Sequence, residues 1–435
     1  MFRPALLTSV GLSLFFLIVY GACNHFTATR HDVGVWVYAW ERHIPFVPGM
    51  IVPYLSIDLF FVAAPFLCRT RSELRVLAGR VLLAIAVAAA FFLLMPLRFS
   101  FERPHALGPI AAFFDWFRSM DFPYNQFPSL HIALWAILAD VYARRLRGVW
   151  RVAVDVWFAL IAASTLLVYQ HHVIDVIGGF ALGGLCLYAI ADAPWRLPVT
   201  RHARLAGYYG AAAGLFAVAS LLKMPWTLWL LWPAASLALI AAAYLGLGPG
   251  VFRKHGGRVP LSSRLLLAWP LLGQWWSWRH YARQSRPWDA VGDRILLGRA
   301  LRPAEARAAR AQGVTAVLDM TGEFSSGFAA AIGGGDRNGV DYLNVPVLDL
   351  TAPPREQLDR AVAFVERHAA AGGRVYVHCK AGYSRSAAVV AAYLLRSGQA
   401  RTADEAIAAV RAARPGIVLR PEAAEAIRAY ATPAP

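Results

Sequence analysis

Long apolar runs fill the chain up to about residue 250, and short, alternating ones fill the remainder. Eight apolar runs, at about 5–22, 48–68, 75–97, 129–146, 150–169, 173–191, 205–222 and 226–247, are each candidates to cross a bilayer as a helix, which takes roughly 20 residues. The pattern predicts a multi-pass α-helical membrane domain over 1–250. Its first run lacks a small-residue cleavage site and is read as a retained helix, not a signal peptide. From about 291 to 435 the pattern changes. Strand-like stretches at 295–297, 314–318, 342–347 and 375–377 alternate with helical ones, notably 355–371, which Gly372-Gly373 ends. A further helix starts at Thr402, whose hydroxyl forms a capping box with Glu405. This alternation predicts an α/β domain. Between the two parts, 251–290 holds an apolar stretch at 265–272 that is too short and Pro-broken to span. With Trp275, Trp276, Trp278 and Arg264, Arg279 and Arg283 it reads as an interfacial amphipathic linker, or as a segment packed on the domain that follows. No internal repeat is present.

Composition agrees with the membrane reading: 58% of the 435 residues are hydrophobic and mean hydropathy is +0.46. The net charge of +17 raises nucleic acid as a partner, but much of the excess Arg lies in short loops, where topology explains it. The clusters are Arg69, Arg71 and Arg75; Arg144, Arg145, Arg147 and Arg151; Arg196, Arg201 and Arg204; and Arg253, Lys254 and Arg258. All four fall on one side of the bilayer if the N-terminus is cytoplasmic, which makes both termini cytoplasmic. The expected location is the plasma membrane, the inner membrane of a bacterium, with the bilayer and phospholipid as partners and no nucleic acid. Cys23, Cys68, Cys186 and Cys379 are the four cysteines; they form neither a disulfide framework nor a zinc spacing. No metal or cofactor is expected.

The chemistry of the tail centres on His378-Cys379-Lys380-Ala381-Gly382-Tyr383-Ser384-Arg385-Ser386. A strand leads into this loop and an apolar helix leaves it, so backbone N–H groups and a helix N-terminus converge on one point, as a phosphate dianion requires. Cys379 at the base is then stabilised as a thiolate, the attacking form. Arg385 can grip two phosphate oxygens with its planar guanidinium, and Gly382 lets the backbone turn closely around the anion. The bland alternative is a buried structural cysteine. The reaction also needs an acid for the leaving oxygen. Asp349, in Val347-Leu348-Asp349-Leu350-Thr351-Ala352-Pro353, is the candidate, with Asp319 its rival.

On these residues the segment over about 290–430 resembles the dual-specificity branch of the protein tyrosine phosphatase superfamily. The resemblance implies attack by Cys379, phosphate binding by Arg385 and the loop 380–384, activation of Cys379 helped by His378, and a Ser386 hydroxyl that assists the thiolate when the phosphoenzyme is hydrolysed. Arg414-Pro415 fits the family's C-terminal pattern as structure. Only three Lys occur in the chain, and one is Lys380. Cys-Lys-Ala-Gly loops resemble members that act on phospholipid headgroups, phosphatidylglycerophosphate phosphatases among them, although Tyr383 departs from their more basic residue. A cation there helps hold a polyanionic headgroup.

The membrane part carries a second polar set at run ends: Arg103-Pro104, Pro128-Ser129-Leu130-His131, Ser164, and His171, His172 and Asp175. In the topology above all of them face the extracytoplasmic side. Ionisable groups at membrane depth are functional candidates by default. His171 and Asp175, four apart at the start of the sixth run, share a helix face, so the carboxylate can orient the imidazole; His131 offers a second imidazole. The alternative is a set of interfacial His residues without a catalytic role. Over about 50–195 this arrangement resembles the PAP2 lipid phosphatase superfamily. That resemblance implies His171 as nucleophile, Asp175 as its orienting partner, His131 as general acid, and Arg103 and Ser129 as phosphate ligands. Leu130 and Thr165 stand where the family carries Gly and Arg, and Arg98 is the nearest substitute for a missing Lys. Similar losses occur in the branch resembling sphingomyelin synthases, which transfers headgroups. The sequence thus predicts a bifunctional membrane phosphatase. The alternative is a membrane-anchored protein tyrosine or dual-specificity phosphatase, acting on phosphoprotein, whose PAP2-like half is an anchor, sensor or headgroup transferase. A module that only captures phospho-ligands is a third reading, against which the intact Cys379, Arg385 and Asp349 argue.

Overall fold

A computed structural model of the chain describes residues 1–102, 104, 114, 117, 122–191, 201–222, 227–328 and 339–432. The chain divides into two compact units, Met1–Asp192 and Ala193–Pro435.

In the first unit the described helices are α1 (Phe2–Ala28), α2 (Ile51–Leu67), α3 (Arg71–Leu94), α4 (Leu130–Ala143), α5 (Gly148–Leu167) and α6 (Val173–Ala189). α1, α2 with the turn before it, α3 and α5 are long and apolar enough to cross a membrane, and α4 and α6 are shorter apolar helices. Val81, Ile85 and Ala88 of α3, Ile137 and Leu138 of α4 and Ile161 of α5 form the interior. Large apolar side chains also point outward, such as Leu17 and Ile18 of α1 and Leu59 of α2; apolar residues on all sides mark helices that meet lipid. The one buried cation of α3, Arg80, is paired with Asp140 at 2.8 Å and donates to the carbonyl of Ile190, as a charge within an apolar bundle must be. α6 lies directly on α4: a Cβ at Gly179 would come 2.5 Å from the Ser129 carbonyl oxygen. That close approach brings the start of α4 beside the start of α6.

The second unit opens with α7 (Ala203–Leu221) and α8 (Leu231–Ala242). The stretch Leu228–Phe252 around α8 is again apolar and long enough to span. Each of the eight expected runs therefore contains a helix, and the last two helices group with the tail. α9 (Leu261–Leu266) and α10 (Ala268–Gln284) follow. The sheet comprises β1 (Trp288–Val291), β2 (Ile295–Arg299), β3 (Val314–Asp319), β4 (Asp341–Asn344) and β5 (Arg374–Cys379), in the order β1-β2-β5-β3-β4. β1 pairs antiparallel with β2, and the remaining pairs are parallel. Its first strand begins inside the segment expected as linker, because four residues of mixed polarity give no alternation to read. α11 (Pro303–Ala311) covers one face; α12 (Arg355–Ala370), α13 (Arg385–Arg396), α14 (Ala403–Ala413) and α15 (Pro421–Ala431) cover the other. Central β5 and buried α13, whose residues from Ala387 to Ala392 are inaccessible, fix the loop between them at the carboxyl end of the parallel strands. Crevices at such edges are where α/β folds bind ligands.

Candidate active sites

The loop 379–385 joins β5 to α13. Its Gly382 has φ +74, and a Cβ there would lie 2.6 Å from the Gly298 backbone, so only glycine fits. Arg414 braces the loop from behind by donating to the carbonyls of Gly382 and Ala381 while paired with Asp289 at 2.6 Å. Ser384 precedes α13 as its N-cap, and Tyr383 packs edge-on against Tyr281.

Cys379 Sγ accepts a hydrogen bond from Ser386 Oγ at 3.3 Å. Burial pushes the thiol up, but the Arg385 guanidinium, the Ser386 hydroxyl and backbone N–H groups of Ser386 and Tyr383 outweigh it and hold it below its ordinary value. Arg385 is buried and forked over Glu323, with Nη2 2.8 Å from Oε1 and Nη1 3.3 Å from Oε2; it also reaches Asp349 Oδ1 at 3.1 Å and the Val347 carbonyl at 2.8 Å. Asp349 is in turn paired with Lys380, which also donates to Gln274 at 2.8 Å. Burial raises the Asp349 carboxyl, but Arg385 and Lys380 outweigh burial and hold it low. The arrangement is a nucleophile with two cations and two carboxylates around one point, chemistry suited to gripping a phosphate dianion and managing one proton.

The structure brings Cys379, Lys380, Arg385, Ser386 and Asp349 together as the sequence led us to expect. His378 is placed differently. Its Nδ1 lies 3.3 Å from the Cys379 carbonyl oxygen and its Nε2 3.6 Å from Asp319, so it sits beside the backbone of the loop. Asp319 is fully engaged: it pairs with Lys254 at 2.6 Å and accepts from Tyr342 and Thr321. Burial raises its carboxyl, but Lys254 and His378 overcome that and drive it well below the carboxylate range. Lys254, counted by its position among the loop charges that set topology, is here a buried counter-ion. Sequence reasoning missed Glu323, Gln274 and Lys254. The only signal for Glu323 was its place directly after β3, at the strand end where parallel sheets gather their sites.

In the first unit, Ser129 caps α4 by accepting from Ile132 N at 3.3 Å, and its side chain is buried. His131 stacks on Tyr54 at 4.3 Å. His171 and Asp175 do not share a helix face, because α6 begins at Val173 with His172 as its cap. Asp175 Oδ2 accepts from His172 N at 2.8 Å and stands 3.8 Å from His171 Nδ1, beyond hydrogen-bond reach. His131 Nε2 and His171 Nδ1 are buried with no hydrogen-bond partner among the described residues. His172 is instead held by Glu41 on Nδ1 at 3.1 Å and by Ser100 on Nε2. A cavity of about 440 Å³ lined by Arg42, Phe101, Glu102, Pro104 and Tyr169 opens in this unit. Arg98 is exposed, and Arg103 lies outside the described residues.

A family model described as the catalytic domain of dual specificity phosphatases matches residues 301–432, and one described as the PAP2 superfamily matches 76–198. The rat protein named phosphatidylglycerophosphatase and protein-tyrosine phosphatase 1 is 34% identical over 149 residues, which cover 33% of this chain and 77% of that protein. The Arabidopsis thaliana phosphatidylglycerophosphate phosphatase PTPMT1 is 31% identical over 137 residues, 31% of this chain and 40% of its own length. Among solved structures, that of PTPMT1 in complex with PI(5)P is similar at 28% identity and a TM-score of 0.30, over 34% of this chain and 95% of that one.

Proposed function

We propose how this chain, which belongs to the dual specificity phosphatase family and carries a PAP2 superfamily domain ahead of it, acts as a membrane-associated phosphatase. The tail removes phosphate from a phospholipid headgroup. The Cys379 thiolate attacks phosphorus, a P–S bond forms and the P–O bond to the leaving group breaks, and Asp349 gives that oxygen its proton. Water, deprotonated by Asp349, then attacks the phosphocysteine; Ser386 receives the departing thiolate, and inorganic phosphate leaves. The observation that carries this reading is the convergence of Cys379, Arg385, Asp349 and Lys380. At rest the two cations face the two carboxylates and the Cys379 thiolate. Adding a dianion gives Arg385 and Lys380 a new partner and leaves an excess of negative charge, which a proton on Asp349 relieves. Lys380 provides for a second anionic group, which a lipid headgroup bears and a phosphotyrosine side chain lacks. The names of the relatives support the same substrate class.

In the PAP2 half, His171 attacks phosphorus with the ring nitrogen turned away from Asp175, Asp175 steadies the imidazolium from 3.8 Å off Nδ1, His131 protonates the leaving oxygen, and water then hydrolyses the phosphohistidine; the unpartnered Nε2 of His131 supports this assignment. By the loop charges, the His171 site faces the extracytoplasmic side and the Cys379 site the cytoplasm, in a plasma (inner) membrane, where reducing conditions keep the thiol usable.

The test is turnover by purified full-length chain in detergent of phosphatidylglycerophosphate, phosphatidic acid and a phosphotyrosine peptide, with Cys379→Ser and His171→Ala. Each variant is expected to lose a different part of the lipid phosphatase activity. Loss of all of it in His171→Ala, with Cys379→Ser unaffected, would defeat the assignment of the tail, and peptide turnover far above lipid turnover would replace lipid by phosphoprotein.

A further inference from the structure

The loop that carries Asp349 is held from the other end of the second unit. The turn after α8 places Tyr244 so that its hydroxyl donates to the Asp349 carbonyl oxygen at 2.8 Å. The next residue, Leu350, has φ +63, a left-handed conformation that a branched side chain avoids and that surrounding contacts must impose. Three contacts do so. Leu348 is buried among Ala206, Ile240, Tyr244 and Phe252 of the helical segment; Thr351 Oγ1 closes the turn on the Leu348 carbonyl at 2.9 Å; and the Tyr244 bond fixes the peptide between Asp349 and Leu350. Tyr244 is itself steadied by Tyr209 of α7, whose ring stacks on it at 5.6 Å and 11°. Tyr209, Tyr244, Leu348 and Asp349 line one small crevice. Lys380, which shares Asp349, is fixed from the same side by Gln274 of α10.

We propose that Tyr244 is a positioning residue for the general acid, so that the helical pair α7–α8 is a working part of the phosphatase and not only its anchor. The proposal rests on reading Cys379 as nucleophile and Asp349 as acid. It separates two steps of the chemistry. Attack by Cys379 does not need Tyr244. Protonation of a poor leaving group does, because a displaced acid loop cannot deliver its proton.

The experiment, run throughout in a His171→Ala background that silences the other proposed centre, compares kcat of full-length chain in detergent on p-nitrophenyl phosphate, whose leaving group needs little protonation, and on short-chain phosphatidylglycerophosphate, whose alkoxide needs it. Tyr244→Phe is expected to lower lipid kcat by about 10-fold and aryl kcat by less than about 2-fold, a milder copy of Asp349→Asn, since general acid catalysis is worth about 100-fold or more. Adding Leu350→Gly to Tyr244→Phe is expected to restore part of the lipid turnover, because glycine holds the left-handed turn without help. A parallel fall on both substrates, no fall on either, or no restoration by Leu350→Gly overturns the proposal. Aryl turnover that survives Cys379→Ser defeats the reading of the nucleophile instead, and is told apart by that variant alone.

Discussion

Cys379 owes its acidity to a few short contacts, which single substitutions can remove. Ser386→Ala takes away a hydroxyl that favours the thiolate, so the thiol should titrate higher. The pH profile of inactivation by iodoacetamide should move upward, and an unchanged profile would show the contact to be idle. Lys380 lowers the carboxyl of Asp349. An acid must be protonated to act, and removing a cation raises its pKa. Lys380→Met should therefore shift the basic limb of kcat on short-chain phosphatidylglycerophosphate to higher pH, while KM for that lipid rises; a limb that moves to lower pH would contradict the pairing. Glu323 and Asp349 share the guanidinium of Arg385, so the residue that grips phosphate is pre-aimed before any ligand arrives.

At the scale of elements, the segments flanking the sheet are tied into it by buried polar contacts. The segment after α8 inserts Lys254 beside Asp319, with both side chains buried. Removing one partner of such a pair strands the other, at about 3–5 kcal/mol. Lys254→Met should lower the stability of the detergent-solubilised chain to denaturant by that order. The folded Asp319 carboxyl lies far below its unfolded value of about 3.9, so its contribution is complete above that pH and fades as pH falls through the folded value. Without Lys254 the fading should begin at higher pH. α10 resolves the two readings of its tryptophans by face. Trp278 is buried and donates to the Ala300 carbonyl at 2.9 Å, whereas Trp276 is 68% exposed. Trp278→Ala should cost about 3–5 kcal/mol, and Trp276→Ala within about 0.5 kcal/mol, each read from denaturant unfolding.

For the whole molecule, the loop charges predict that both termini are cytoplasmic. A reporter active only outside the cytoplasm, fused after residue 435, should be silent, and an active one would overturn the eight-span topology. The two proposed centres share no residue, so lipid phosphatase activities lost in Cys379→Ser and His171→Ala should add in the double variant.

The apolar helices, the alternation of strands and helices in the tail and the phosphate loop were legible because they are local. Hydrophobic period marks each helix where it stands, and the residues from His378 to Ser386 are contiguous between a strand and a helix. What the sequence concealed is set by contacts between distant positions. Glu323 meets Arg385 across 62 residues, Tyr244 meets the Asp349 carbonyl across 105, and Gln274 meets Lys380 across 106. Periodicity carries no information about such pairings. The spacing of His171 and Asp175 suggested a helical pair, but a helix that starts only at Val173 turned Asp175 into a cap. Sequence by itself determined which atoms can do chemistry, since nucleophile, guanidinium and loop glycine are fixed by residue type over a short stretch. The tertiary structure alone decided which carboxylate faces them. Buried Asp319 found Lys254, and Asp349 was left to Arg385 and Lys380, because a buried charge settles beside the counter-ion that folding brings within reach.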